Sequence, residues 1–182
     1  MALENMDRIR FELYIPAVAP QDSSRSIWWH TLVVIIPSDV QYPNTPFLWI
    51  AGGSNDNDDI PEPTDEDSIV AGTFAVGTKT IGAALFKIPN TPIVFYADPL
   101  KKKRKEEGII AYTWWHHIFD PEANYEWLLR LPMTKTAVRS MDTVAAFMSS
   151  EYSPQEIQDI HSNPSQMDGI LRWSSLRWPK AL

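Results

Sequence analysis

Residues 31–36 read Thr-Leu-Val-Val-Ile-Ile and stop at Pro37. An unbroken β-branched and aliphatic run offers neither face of a strand to water, so the segment predicts a central strand buried on both sides. Working towards the carboxyl end, Phe47–Ala51 repeats the pattern after a Pro/Asn turn and breaks at Gly52-Gly53-Ser54-Asn55, residue types that permit positive φ and tight turning. This predicts a second strand ending in a glycine elbow. Thr64, three residues before Asp67, forms a variant capping box, with Asp65 and Glu66 where the helix dipole favours negative charge. A helix over 65–79 follows, and Ile69, Val70, Thr73, Phe74 and Gly77 are the face expected against the sheet.

The next strand is expected over Ile81–Ile88, stopped by Pro89-Asn90, with a short extended piece over 92–96. Glu106–Phe119 reads as a helix, because Ile109, Ile110, Thr113, Trp114, His117 and Ile118 fall on one stripe. Pro132 precedes another helix to about Ser150, with Ala137, Val138, Met141, Val144, Ala145 and Met148 on its apolar face. Towards the amino end, residues 1–26 suggest a leader with an edge strand around Arg10–Ile15 and then a Ser-rich loop. Alternating strands and helices predict an α/β domain over 27–150, its mostly parallel sheet flanked by helices. Residues 151–182 contain Pro164, Gly169, Pro179 and isolated Trp, with no strand pattern or sustained amphipathic period, and are expected to pack poorly.

With 182 residues, 44% hydrophobic and 12% aromatic, the composition is that of one globular domain. Eight Trp carry apolar area that must be buried or engaged by a partner. The absence of Cys excludes a disulfide framework and thiolate metal sites but leaves the compartment open. Met1–Asp22 lacks a basic start leading into an apolar run, and no stretch reaches the roughly 18 apolar residues of a membrane span, so neither a signal peptide nor a span is expected. The net charge of −7 is local: without Asp56, Asp58, Asp59, Glu62, Asp65, Glu66 and Asp67, sixteen acids face sixteen bases.

Gly52 and Gly53 are the candidates for chemistry, because amides of a glycine-rich loop after a sheet strand can point at a developing oxyanion. A plain strand-to-helix turn accounts for them as well. There is no G-x-S-x-G, P-loop, dinucleotide fingerprint or H-E-x-x-H, so no residue is assigned as catalytic and no cofactor or metal is implied. His117 is expected in the core and His116 at the surface, with His30 and His161 as further candidates for a base. The acidic loop lacks the glycine and terminal Glu of a calcium loop and reads as solvated. Lys101–Lys105 runs straight into Glu106-Glu107 without interleaved aromatics, so it too reads as a solvated lead-in, with no nucleic-acid partner expected.

Several phrases occur in an ordered set: Trp28-Trp29-His30, Ile50-Ala51-Gly52-Gly53-Ser54-Asn55, Ile88-Pro89-Asn90-Thr91-Pro92 and Ile110-Ala111-Tyr112-Thr113-Trp114. Leu129-Arg130-Leu131-Pro132-Met133-Thr134-Lys135 and Ala137-Val138-Arg139-Ser140-Met141-Asp142-Thr143-Val144 complete it. Over about residues 27–147 the chain resembles the PhoPQ-activated pathogenicity-related protein family, which includes autocrine proliferation repressor-like proteins. The resemblance implies a partial three-layer α/β-hydrolase-like domain whose full-length relatives are usually secreted. It also implies a serine nucleophile turn soon after the helix matching Met133–Met148. That turn is missing here, and residues 149–182 depart from the pattern, so the chain is expected to be a truncated, hydrolase-like member without activity of its own. The alternative is a non-catalytic secreted signalling or interaction protein regulating proliferation, which meets a protein partner or receptor through exposed Trp and the two charged segments.

Overall fold

The computed structural model describes residues 6–16, 23–56, 59–119 and 128–151, the first of these as backbone alone. Of the tail expected over 151–182, residues 152–182 lie outside them, as do residues 17–22 ahead of the described part of the Ser-rich loop. Strands β1 (Met6–Pro16), β2 (Ile27–Pro37), β3 (Tyr42–Ile50) and β4 (Thr80–Leu85) form one sheet in the order β1-β2-β4-β3. Helix α1 (Glu66–Thr78) links β3 to β4. The short strands β5 (Ile93–Val94) and β6 (Lys103–Arg104) pair as a separate ribbon, followed by helices α2 (Glu106–Phe119) and α3 (Arg130–Glu151).

The continuous apolar run does become the central strand. Leu32 and Val34 of β2 pack with Ile81, Ala83 and Leu85 of β4 beneath Val144 and Met148 of α3. Val33 and Ile35 face the other way, with Ala84 and Phe86, onto Ala71 and Ala75 of α1. Each large side chain buried here contributes about 1.5–3 kcal/mol, and the two opposed faces explain why no polar alternation appears in the run.

The expectation of a mostly parallel sheet is corrected to a mixed one. β1 with β2 and β2 with β4 are antiparallel, and only β3 and β4 run parallel. Parallel neighbours need a long crossover, normally a helix, and among these strands only the β3–α1–β4 connection supplies one. The short link over 38–41 reverses the chain between β2 and β3. β3 also begins earlier than expected, running back through Pro43 and Pro46, with a register shift between Tyr42 and Phe47. Prolines cannot donate to a ladder and are tolerated on edge strands and at irregularities, and β3 is an edge among the described residues.

Helix α1 turns a different face inward from the one expected. Its buried residues are Ser68, Ala71, Gly72 and Ala75, while Ile69 and Phe74 are 39% and 52% exposed. Small residues win because they allow close approach: Gly82 of β4 lies directly under Ala75 and Phe47. Phe74 instead stacks on Trp49 of β3, whose indole N–H donates to Asp67 at 2.8 Å. The capping box does not form, since Asp67 is engaged by Trp49 and the cap residue Asp65 makes no side-chain cap bond. Asp65 accepts the Glu62 N–H instead, at 2.7 Å.

On α3, Thr136 and Ser140 line the buried face because their hydroxyls donate back to the carbonyls of Pro132 and Thr136. Ala145, expected inward, is exposed. On α2 only Ile109 and Thr113 of the expected stripe are buried, and Trp114 and Ile118 are 43% and 64% exposed.

A Cβ added at Gly82 would stand 2.7 Å from Phe47 Cζ and 3.2 Å from Ala75 Cβ. Gly82→Ala should therefore destabilise the domain by about 1–3 kcal/mol through overpacking. A urea titration followed by Trp fluorescence measures this, and the Phe47→Leu background should restore part of the loss.

Candidate functional site

Because β3 and β4 run parallel, their carboxyl ends lie side by side, and the segments leaving them stay paired. Ala51 N–H donates to Leu85 O at 2.8 Å and Lys87 N–H to Gly52 O at 2.8 Å, while Ile88 N–H reaches Ala51 O at 3.2 Å. Further on, Asn55 N–H donates to Thr91 O at 2.7 Å. The elbow is thereby laced to residues 86–91. Gly53 has φ of 124° and Lys87 has φ of 68°, and a Cβ at Gly53 would meet Lys87 Cγ at 3.5 Å. Glycine is required there by conformation, at Gly52 by nothing steric: its nearest neighbour would be Glu106 Oε1, 3.9 Å away. Gly52 and Gly53 are both exposed. Among the described residues neither of their N–H groups has a backbone or side-chain acceptor.

Beneath this loop lies a buried polar cluster. His30, Asn90, Thr91 and Asn55 are at most 6% exposed. The Asn55 carboxamide donates to Trp29 O at 2.9 Å and pairs with the Asn90 carboxamide. His30 Nδ1 lies 3.1 Å from Lys87 O, and since a carbonyl only accepts, Nδ1 carries the proton. Among the described residues His30 Nε2, Asn55 Oδ1, Asn90 Nδ2 and Thr91 Oγ1 have no hydrogen-bond partner. Burial pushes the His30 imidazole down to about 4, outweighing the carbonyls of Lys87 and Phe86, which favour the charged form. The Lys87 ammonium stands 3.9 Å over the Trp29 ring.

The acidic and basic segments, read from the sequence as separate solvated stretches, meet at this site. Lys103 donates to both carboxylate oxygens of Asp56, at 2.9 and 3.0 Å, and Arg25 reaches Asp56 at 3.3 Å. The Lys103 contact holds the Asp56 carboxyl below its usual range. Arg25 also donates to Thr91 O at 3.2 Å. Next to Lys103, Arg104 pairs at 2.7 Å with Asp98, whose side chain is 4% exposed. Burial raises that carboxyl, but the N–H groups of Leu100 and Lys102 and the Arg104 guanidinium together hold it below the ordinary carboxylate range.

His116 is half-buried rather than at the surface, edge-on to Tyr112 and Trp115 with centroids 4.6 and 4.9 Å away. Burial and Arg104 lower its pKa, against Asp98. His117 is also half-buried, edge-on to Trp114. His161 lies outside the described residues. Among the described residues no group of three or more His, Asp or Glu could hold a metal ion, and no helix is long and apolar enough to cross a membrane.

These residues define a mixed α/β domain with a glycine loop at the carboxyl end of its parallel strand pair. The chain belongs to the PhoPQ-activated pathogenicity-related protein family, whose sequence profile matches residues 5–159. That match reaches beyond the quoted phrases at both ends, taking in β1 and entering the segment expected to diverge. The chain is 35% identical over 127 residues to autocrine proliferation repressor protein A of Dictyostelium discoideum, an alignment that covers 70% of this chain and 24% of that protein. It thus spans about a quarter of that relative's length. No solved structure matches.

The His30 shift has a signed consequence. Its folded value of about 4 lies below the 6.5 of an ordinary imidazole, so the unfolded chain binds more protons between those limits. The stability of the neutral buried ring is fully present above pH 6.5 and is lost as pH falls, by about 2 kcal/mol at pH 5. Urea midpoints at pH 7 and pH 5 should differ more for the native protein than for His30→Gln; equal differences would remove His30 as the cause.

Proposed function

We propose that the chain carries the oxyanion-binding part of a three-layer α/β-hydrolase-like domain, with the N–H groups of Gly52 and Gly53 as the donors. The observation that carries this reading is the pair of exposed glycine amides without an acceptor among the described residues, in a loop fixed from below. In hydrolases of this class one oxyanion donor comes from the loop between the third strand and the first helix, the place this loop occupies between β3 and α1. Helices α1 and α3 on opposite faces of the sheet also suit such a domain. Donors aimed at developing charge act only with a nucleophile beside them, and residues 1–182 contain no G-x-S-x-G turn. On this reading the chain alone does not turn over esters.

A second reading, an interaction protein regulating proliferation, draws on the carboxyl end of α2. Trp114, Trp115, Ile118 and Phe119 are 43%, 53%, 64% and 72% exposed there, and Trp is over-represented at interaction hot spots. The name of the amoebal relative, a proliferation repressor, points the same way.

The first reading is tested by titrating the ¹⁵N-labelled protein with butyrate, the kind of carboxylate that acyl transfer to water releases. The Gly52 and Gly53 amides should shift more than any others, and Gly53→Ala, strained at φ of 124°, should abolish the effect. Shifts spread over the surface, or none at these glycines, would refute it.

A further inference from the structure

Glu106 occupies an unusual place for a carboxylate beside an anion-binding loop. It is the first residue of α2, it is exposed, and among the described residues beyond Gly52's chain neighbours its Oε1 comes nearest to where a Cβ on Gly52 would be, at 3.9 Å. Its backbone is left-handed, with φ of 38°, a conformation that non-glycine residues adopt at a cost and that recurs at functional sites. Just ahead of α2, Lys103 of β6 makes a separate contact with the loop, its ion pair with Asp56. That bond also uses the Lys103 charge, and Arg25 is likewise directed to Asp56, so neither cation is aimed at Glu106.

A negative charge at this position opposes a second negative charge on a ligand and attracts a positive one. We propose that Glu106 determines the specificity of this site, favouring acyl compounds that carry a cationic group near the carbonyl over those that carry none. The inference rests on the reading of Gly52 and Gly53 as oxyanion donors, and adds the class of substrate. Glu106 does not take part in bond making here; it selects what reaches the loop.

The experiment compares two probes, butyrate and γ-aminobutyrate, which share a carboxylate and a chain length and differ in an ammonium group. Dissociation constants are read from the Gly52 and Gly53 amide shifts in the native protein, Glu106→Gln and Glu107→Gln. The native protein and Glu107→Gln should bind γ-aminobutyrate about two- to fivefold more tightly than butyrate, as an exposed ion pair allows. Glu106→Gln should bind both equally, with butyrate tightened. If the native protein shows no preference, or Glu106→Gln keeps it, the role of Glu106 is overturned while the loop still binds carboxylates. If neither acid shifts the glycine amides in any of the three proteins, the donor reading fails and this inference with it.

Discussion

The lacing of Ala51–Asn55 to Phe86–Thr91 is the constraint on which the rest of the site depends. A glycine loop left to itself is the most entropically free segment a chain can have. Here the carbonyls of Ala51 and Gly52 accept N–H groups from Ile88 and Lys87, and Asn55 is tied by its backbone to Thr91 and by its side chain to Trp29 O. Within this laced loop the N–H groups of Gly52 and Gly53 are left without an acceptor among the described residues. Parallel pairing of β3 and β4 makes this possible, because only strands running the same way deliver both carboxyl ends to one place.

That pairing in turn rests on the core. β2 is buried on both faces and supplies the wall against which β4 lies, and α1 can cross from β3 to β4 only because its inward face is small. Ala71, Gly72 and Ala75 bring the helix close enough that Gly82 has no room for a side chain. The exposed Ile69 and Phe74 follow from the same choice: the larger residues are displaced to the edge, where Phe74 meets Trp49.

How much of this was legible in the sequence depends on whether the determining contact was local. The buried run 31–36, the glycine elbow and the helices over Glu106–Phe119 and Arg130–Glu151 are local patterns, and they were readable. Strand direction was not, because nothing in the residues of β2 states which neighbour it will oppose. The inward face of α1 was misread because hydrophobicity favours Ile69 and Phe74, whereas the sheet selects for closeness. The capping box was lost to a tertiary competitor, the Trp49 indole taking Asp67. At the site, Gly52 and Gly53 could be singled out from composition alone, but the partnership of Asp56 with Lys103 spans 47 positions and leaves no local signal. The same holds for the carboxylate of Glu106 beside Gly52.

Amide hydrogen exchange, read residue by residue, tests the central claim most directly. The account predicts that Lys87, Ile88 and Asn55, whose N–H groups hold the loop, are protected, while Gly52 and Gly53, between them in space, exchange at close to the rate of an open chain. Protection of the two glycine amides, or rapid exchange at Lys87 and Asn55, would contradict it.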